Sequence, residues 1–103
     1  QQRAIVKIAQ TLGAPTSESP SDLQARVEAD IYDMAYGTGT LPPGERIQVH
    51  YTKLQTTPQG KSLVVGISVP PAQQNKWVRL KPSVSEALKR KYVVNAVSWN
   101  DNL

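Results

Sequence analysis

The strongest constraint on the fold of this chain is a pair of strand-like segments joined by a turn sequence. Apolar and polar residues alternate within residues 46–54 and again within residues 62–69. An alternation of period two places the apolar residues on one face of a β-strand. Between the segments, Pro58 fixes φ and Gly60 is free to adopt a positive φ. The pattern predicts a β-hairpin whose core face holds Ile47, Val49 and Tyr51 from the first strand and Leu63, Val65, Ile67 and Val69 from the second.

Two helices are predicted before the hairpin. Residues 3–12 place apolar side chains at helical spacing, and Gly13 follows as a stop signal. The second predicted helix follows Ser21, the N-cap of a capping box, and runs to about Tyr36, with Gly37 as its stop. The buried stripe of this second helix is expected to hold Leu23, Val27, Ile31 and Met34.

The segment after the hairpin is predicted to hold a short strand, a short helix and a last strand. Pro70 and Pro71 end the hairpin because proline cannot donate to a strand ladder. Residues 77–80 are the predicted short strand, and a capping box that starts at Ser83 predicts a helix over 84–91. Residues 92–99 are almost continuously apolar, which indicates a buried strand. This unit has about the minimum length of a parallel crossover, which would be right-handed.

These elements predict an α+β fold in which two N-terminal helices pack on a mainly antiparallel sheet of three to four strands, with a short helix before the last strand. The chain has 103 residues, so we expect a single domain over residues 1–103. Its first residue is Gln1 and not a methionine, which indicates a removed start residue, tag or signal peptide, or excision from a longer chain. No apolar run approaches the roughly 18–20 residues that a membrane span needs.

The residue types limit the chemistry that we expect. The chain has no cysteine, so it has no disulfide framework, no thiolate nucleophile and no cysteine-bound metal. His50 is the only histidine, and the local sequence brings no serine or threonine nucleophile and no orienting group to it. We therefore expect no enzyme, no metal site and no cofactor. The lack of cysteine favours a cytoplasmic protein, and export after removal of a signal peptide stays open.

Two further motifs have simple structural interpretations. Asp22, Asp30 and Asp33 lie on the second predicted helix with Arg26 among them, which is typical of a solvated helix face. The residues 37–40 read Gly-Thr-Gly-Thr, but they follow a helix and precede a strand. Phosphate-binding loops have the opposite context, so we interpret this segment as a loop.

The charge distribution is the main functional feature of the sequence. Residues 1–45 carry three basic and six acidic residues, whereas residues 46–103 carry nine basic and two acidic residues. Such an asymmetry is typical of a surface for an anionic partner, although it also fits a solvated surface. Cations at the end of a helix also complement its dipole. The candidate contacts for an anionic ligand or nucleic acid are Lys76, Arg79, Lys81, Lys89, Arg90, Lys91, Arg46 and Lys53.

The predicted order of helix, three strands and helix in the middle of the chain is similar to that of the double-stranded-RNA-binding domain. That family carries a basic cluster at the start of its last helix. Here Lys81 precedes the predicted helix and residues 89–91 close it. The first predicted helix and the final strand also have no counterpart. The resemblance is limited to element order, and we assign no family on this basis.

The sequence therefore predicts a small non-enzymatic protein-interaction or assembly module. A protein partner or self-association is expected, with pairing at an edge strand over residues 46–54 or 77–80. The alternative is a nucleic-acid-binding domain that uses the basic C-terminal half.

Overall fold

A computed structural model describes residues 18–37, 41–101 and 103 of the chain. The elements are α1 (Pro20–Tyr32), β1 (Gln48–Thr57), β2 (Gly60–Ser68), α2 (Gln74–Tyr92) and β3 (Ala96–Asn100). A π-helical turn follows α1, and a short 3-10 turn precedes α2. The helix predicted over residues 3–12 lies outside the described residues. In the described part of the chain, no helix is long and apolar enough to cross a membrane.

The fold is α+β, with two helices and a three-stranded sheet in the described residues, and the predicted layout is wrong. Of the two described helices, α1 precedes the strands, whereas α2 follows the β1–β2 hairpin and leads to β3. The strand order is β1-β2-β3, with β1 antiparallel and β3 parallel to β2. The sheet is therefore mixed and not mainly antiparallel. The crossover exists, but it starts from β2 and not from a strand over residues 77–80.

The largest correction concerns residues 77–80, which belong to α2 and not to a strand. The capping box at Ser83 is also wrong, because this residue lies inside the helix. A helical stripe at spacings of three and four runs through the whole segment, and it explains the single long helix. Its buried and half-buried members are Trp77, Leu80, Val84 and Leu88.

Pro82 lies inside α2 and is the residue that obscures this helix in the sequence. A proline lacks the N–H that would bond to the carbonyl four residues earlier, which here belongs to Val78. Val78 is 61% exposed, so water can satisfy that carbonyl. The apolar stripe on the opposite side keeps the helix continuous despite the missing bond.

Helix α1 begins two residues earlier than predicted. Ser19 and not Ser21 is the N-cap, and its hydroxyl accepts from the backbone N–H of Asp22 at 3.2 Å. Pro20 follows at the first helical position, where its missing N–H costs nothing. The predicted burial of Leu23, Val27 and Ile31 is confirmed. The π-helical turn over Asp33–Gly37 changes the spacing, so Ala35 is buried and Met34 is only partly buried.

The hairpin and its turn are confirmed, with Pro58 and Gln59 between the paired residues Thr57 and Gly60. Gly60, just after the turn, has φ +120°, a conformation that glycine adopts without Cβ strain. The prediction for Tyr51 is wrong, because the register shifts by one residue between Val49 and Tyr51. Such a β-bulge reverses which residues face the core.

The bulge gives the sheet two distinct faces. The helix-covered face holds the buried residues of β2, namely Leu63, Val65 and Ile67. On the other face, which we call the open face, alternation and register place Tyr51, Lys53 and Gln55 of β1, Ser62, Val64, Gly66 and Ser68 of β2, and Ala96, Ser98 and Asn100 of β3.

Strand β3 is shorter than predicted and is not buried along its whole length. Its residues Val97 and Trp99 pack partly against the core, and the others are exposed. The Trp99 ring meets Trp77 edge to face at a centroid distance of 5.2 Å, and its indole N–H donates to Ser85 Oγ at 2.7 Å. These contacts join β3 to α2.

An ion pair holds the chain after β3. Lys81 Nζ lies 2.7 Å from Asp101 Oδ2, and both side chains are about three-quarters buried. The hydrogen bond from Lys81 keeps the pKa of Asp101 below its ordinary value. Because the pKa is lower in the folded state, the pair stabilises the fold above the unfolded-state pKa, and this contribution is lost as pH falls through the folded pKa.

We therefore expect Asp101→Asn to lower the free energy of unfolding by about 0.5–1 kcal/mol near neutral pH. The difference between the two proteins should shrink at an acidic pH below the lowered pKa of Asp101, where the wild-type carboxyl is protonated as well. Urea denaturation at the two pH values measures it. A difference that persists at the acidic pH would mean that the carboxylate charge is not its cause.

Candidate interaction surface

The structure explains several of the predicted basic contacts as structural ion pairs. These pairs are Lys81–Asp101 at 2.7 Å, Lys89–Glu86 at 2.6 Å and Lys91–Asp30 at 2.6 Å. The lysine of each pair already has an anionic partner. An external phosphate would have to compete with that partner, so these lysines are weaker candidates than the sequence indicates.

The remaining predicted contacts do not share one surface. The guanidinium of Arg46 lies 4.6 Å from the ring centroid of Tyr36. Lys76, Arg79 and Arg90 are exposed on the outer side of α2, and Lys53 lies on the open face across the sheet. None of these last four forms an ion pair with another described residue.

His50 is exposed, as expected, but a serine does reach it. His50 Nε2 lies 2.5 Å from Ser68 Oγ, which also contacts the carbonyl oxygen of Leu103 at 2.5 Å. Local sequence around His50 does not indicate this contact, because Ser68 lies on the next strand. Within the described ranges, Ser68 is the hydrogen-bond partner of His50, and no third group orients the ring.

A groove of about 390 Å³ opens at the end of the sheet where the hairpin turn lies. It lies between the start of α1, the end of α2 and the hairpin, and we call it the end groove. Its lining residues are Glu18, Arg26, Leu54, Lys61, Lys91, Tyr92 and Val93. The groove therefore combines exposed apolar side chains with three cations.

A network of charges fixes one wall of the end groove. Arg26 pairs with Glu18 at 2.8 Å, and its guanidinium lies 5.1 Å from the ring centroid of Tyr92. Tyr92 donates to Asp30 Oδ2 at 2.6 Å. Burial and this carboxylate raise the pKa of Tyr92, so the phenol stays protonated.

The prediction that Asp30 lies on a solvated stripe is wrong, because its carboxylate binds two residues of α2, Lys91 and Tyr92. Lys61 has no ion pair with a described residue, so it supplies the net positive charge.

Val93 is an unusual residue on the rim of the end groove. It is 81% exposed and has φ +54°, in the left-handed region. It ends α2 at a position where glycine or asparagine is preferred, and a β-branched side chain there is strained. The Val93 side chain thus costs folding energy and buries almost nothing in this structure.

We expect Val93→Gly to raise the free energy of unfolding by about 1 kcal/mol, because glycine adopts the left-handed region without Cβ strain. Val94→Gly is the matched control, since Val94 is buried and its loss should destabilise the fold. Denaturant unfolding measures both variants. A destabilised Val93→Gly protein would show that the side chain packs in the native state.

Side chains of α1 and of the π-helical turn after it cover the backbone at the start of the exposed edge of β1 and just before it. Tyr32 Oη donates to the carbonyl of Ile47 at 2.6 Å, and Tyr36 Oη accepts from the Ile47 N–H at 2.8 Å. Gln24 Nε2 donates to the carbonyl of Val49 at 3.0 Å. These side chains occupy backbone groups that would otherwise be free to pair with another strand.

The second half of β1, residues 52–57, lacks this cover, and we call it the open segment. Residues that flank a two-residue turn form a hydrogen-bonded pair, and such pairs alternate along an antiparallel ladder. From the pair of Thr57 with Gly60, this alternation directs the backbone groups of Thr52, Leu54 and Thr56 away from β2. No hydrogen bond from another described segment reaches them. Within the described part of the chain, the open segment thus presents unpaired donors and acceptors, and Leu54 joins it to the end groove.

Comparison of the chain with protein-family models, with curated proteins and with solved structures finds no match. The sequence indicated an edge strand over residues 46–54 but missed the end groove and the open segment. Two features could not be predicted from the sequence. Leu54 faces the helices only because of the bulge, and a valine does not predict the left-handed conformation that Val93 adopts.

Proposed function

We propose that this protein is a non-enzymatic interaction module that binds an extended segment of a partner protein along the open segment of β1. The observation that carries the proposal is the contrast within one edge strand. Side chains of α1 and of the π-helical turn after it occupy backbone groups of Ile47, just before the strand, and of Val49 within it, whereas no described residue bonds to the outward groups of Thr52, Leu54 and Thr56. A partner strand would satisfy these groups by β-strand addition.

The surroundings of the open segment favour a partner with alternating apolar and acidic side chains. A strand beside β1 presents alternate side chains to the two faces of the sheet. On the helix side they meet Leu54 and Val93, and on the open face they meet Lys53. Lys61, which also forms no ion pair with a described residue, adds a second cation in the end groove. A second copy of the chain would bring the same cations, so an acidic partner fits this surface better.

The strained Val93 supports the same proposal. Backbone strain and an exposed apolar side chain both oppose folding, and such features persist where binding requires them. The side chain lines the end groove together with Leu54, where it would contact an apolar partner residue.

The test is a fluorescence titration with a labelled, capped hexapeptide that alternates valine with glutamate. We expect Thr56→Pro to weaken binding at least tenfold, because proline removes an outward N–H, while Thr56→Val keeps that N–H and binds like the wild type. Val93→Gly should bind more weakly although it folds more stably. Sizing of the free protein separates partner binding from self-association.

Equal binding by Thr56→Pro and the wild type would contradict strand addition at this edge. A wild-type protein that dimerises through the same edge and does not bind the peptide would show that the partner strand comes from a second copy of the chain.

A further inference from the structure

The open face of the sheet holds a second feature, the flat-lying ring of Tyr51. The register aligns Tyr51 of β1 with Gly66 of β2 and with Asn100 of β3. Asn100 Nδ2 donates to Tyr51 Oη at 3.2 Å, so the side chain extends from one edge strand to the other. A Cβ on Gly66 would overlap the ring, which therefore lies directly on the glycine backbone.

One side of this ring is packed and the other is accessible. The Gly66 backbone covers the inner side, and Tyr51 remains 37% exposed. The hydrogen bond from Asn100 already holds the ring in this orientation in the free protein, so binding does not have to pay the entropy of ordering the ring. An aromatic ring held flat on a sheet surface is a platform on which an unpaired base stacks.

The charge of the open face is complementary to a phosphate backbone. Lys53 lies on the same face two residues from Tyr51, roughly 7 Å along the strand. His50 is directed to this face by its contact with Ser68. None of the described residues on the open face is an aspartate or glutamate. Polar side chains such as Gln55 and Ser98 supply further hydrogen-bonding groups.

We propose that the open face binds single-stranded nucleic acid, with an unpaired base on Tyr51 and a phosphate on Lys53. This site uses only one of the basic residues singled out from the sequence, and it lies across the sheet from those on α2. It is separate from the strand-addition edge, so Thr56→Pro should leave nucleic-acid binding unchanged.

The test is fluorescence anisotropy with labelled ten-nucleotide oligothymidylate and oligouridylate at about 0.15 M salt, with a DNA duplex as comparison. We expect Tyr51→Ala to weaken binding about tenfold or more and Tyr51→Phe to retain most of it. Gly66→Ala should also weaken binding, because its Cβ displaces the ring. Lys53→Ala should lower the salt dependence by about one counterion.

Arg90→Ala is the matched control, since Arg90 is an exposed cation without an ion pair to a described residue on the far side of α2. Its binding should equal that of the wild type. Circular dichroism checks that Tyr51→Ala is folded, and Lys53→Ala tests the same face independently of the ring. Wild-type binding that is absent at this salt, unaffected by both Tyr51→Ala and Lys53→Ala, or equally weakened by Arg90→Ala would overturn the proposal.

Discussion

Replacement of Trp77 by alanine is expected to lower the free energy of unfolding by about 3–5 kcal/mol. Trp77 is only 1% exposed, and its ring contacts Trp99 edge to face. The substitution removes the largest buried side chain of the core and also the contact that joins α2 to β3. Chemical denaturation followed by circular dichroism measures the loss.

Val78→Ala is the matched control for this prediction. The two residues are neighbours in the chain, but Val78 is 61% exposed on the outer side of α2. We expect a change within about 0.5 kcal/mol for this variant. A strand over residues 77–80 would instead have placed the two neighbouring side chains on opposite faces of the sheet. Similar losses for both variants would contradict the helix and its orientation.

The second large effect concerns proline substitution in β1. Gln55→Pro is expected to lower the free energy of unfolding by about 3 kcal/mol, because Gln55 pairs with Ser62 and its N–H lies in the ladder. Thr56→Pro should cost less than about 1 kcal/mol, since its N–H is directed away from β2. Urea denaturation of the two variants measures the difference.

The two positions differ by one residue and are both exposed, so local propensity does not separate them. The two positions differ only in whether the backbone N–H is directed toward β2 or away from it. A larger loss for Thr56→Pro than for Gln55→Pro would show that the phase is inverted, and the outward groups of the open segment would then belong to other residues.

The hairpin was predictable because its determinants are local. Alternation of apolar residues specifies each strand, and the turn residues Pro58 and Gly60 fix the connection. The same holds for the buried stripe of α1, which needs only the helical period. The wrong prediction in these segments concerns which residues of β1 face the core. The extra residue at His50 turns Tyr51 to the other face of the sheet, and no residue type marks that bulge.

The layout after the hairpin failed for a different reason. The capping box that starts at Ser83, just after Pro82, is a local signal for a helix start and predicts a helix that begins there. The apolar stripe from Trp77 to Leu88 is a longer signal that already predicts one helix. Burial of that stripe against the sheet outweighs the missing hydrogen bond at Pro82.

The functional surfaces depend on contacts between distant residues. Lys91 meets Asp30 across the fold, and this contact turns a candidate nucleic-acid contact into a structural ion pair. The open segment exists because β1 is at the edge of the sheet and because α1 ends its cover at Val49. Neither fact follows from a local pattern, since both depend on strand order and helix placement.

The most direct test of the proposed function is amide hydrogen exchange along β1, followed by NMR with and without the valine–glutamate hexapeptide. In the free protein, the amides of Thr52, Leu54 and Thr56 should exchange much faster than those of Lys53 and Gln55. The peptide should slow the first set and leave the second set slow. Protection of the first set in the free protein, or exchange that the peptide does not change, would contradict an open edge that takes a partner strand.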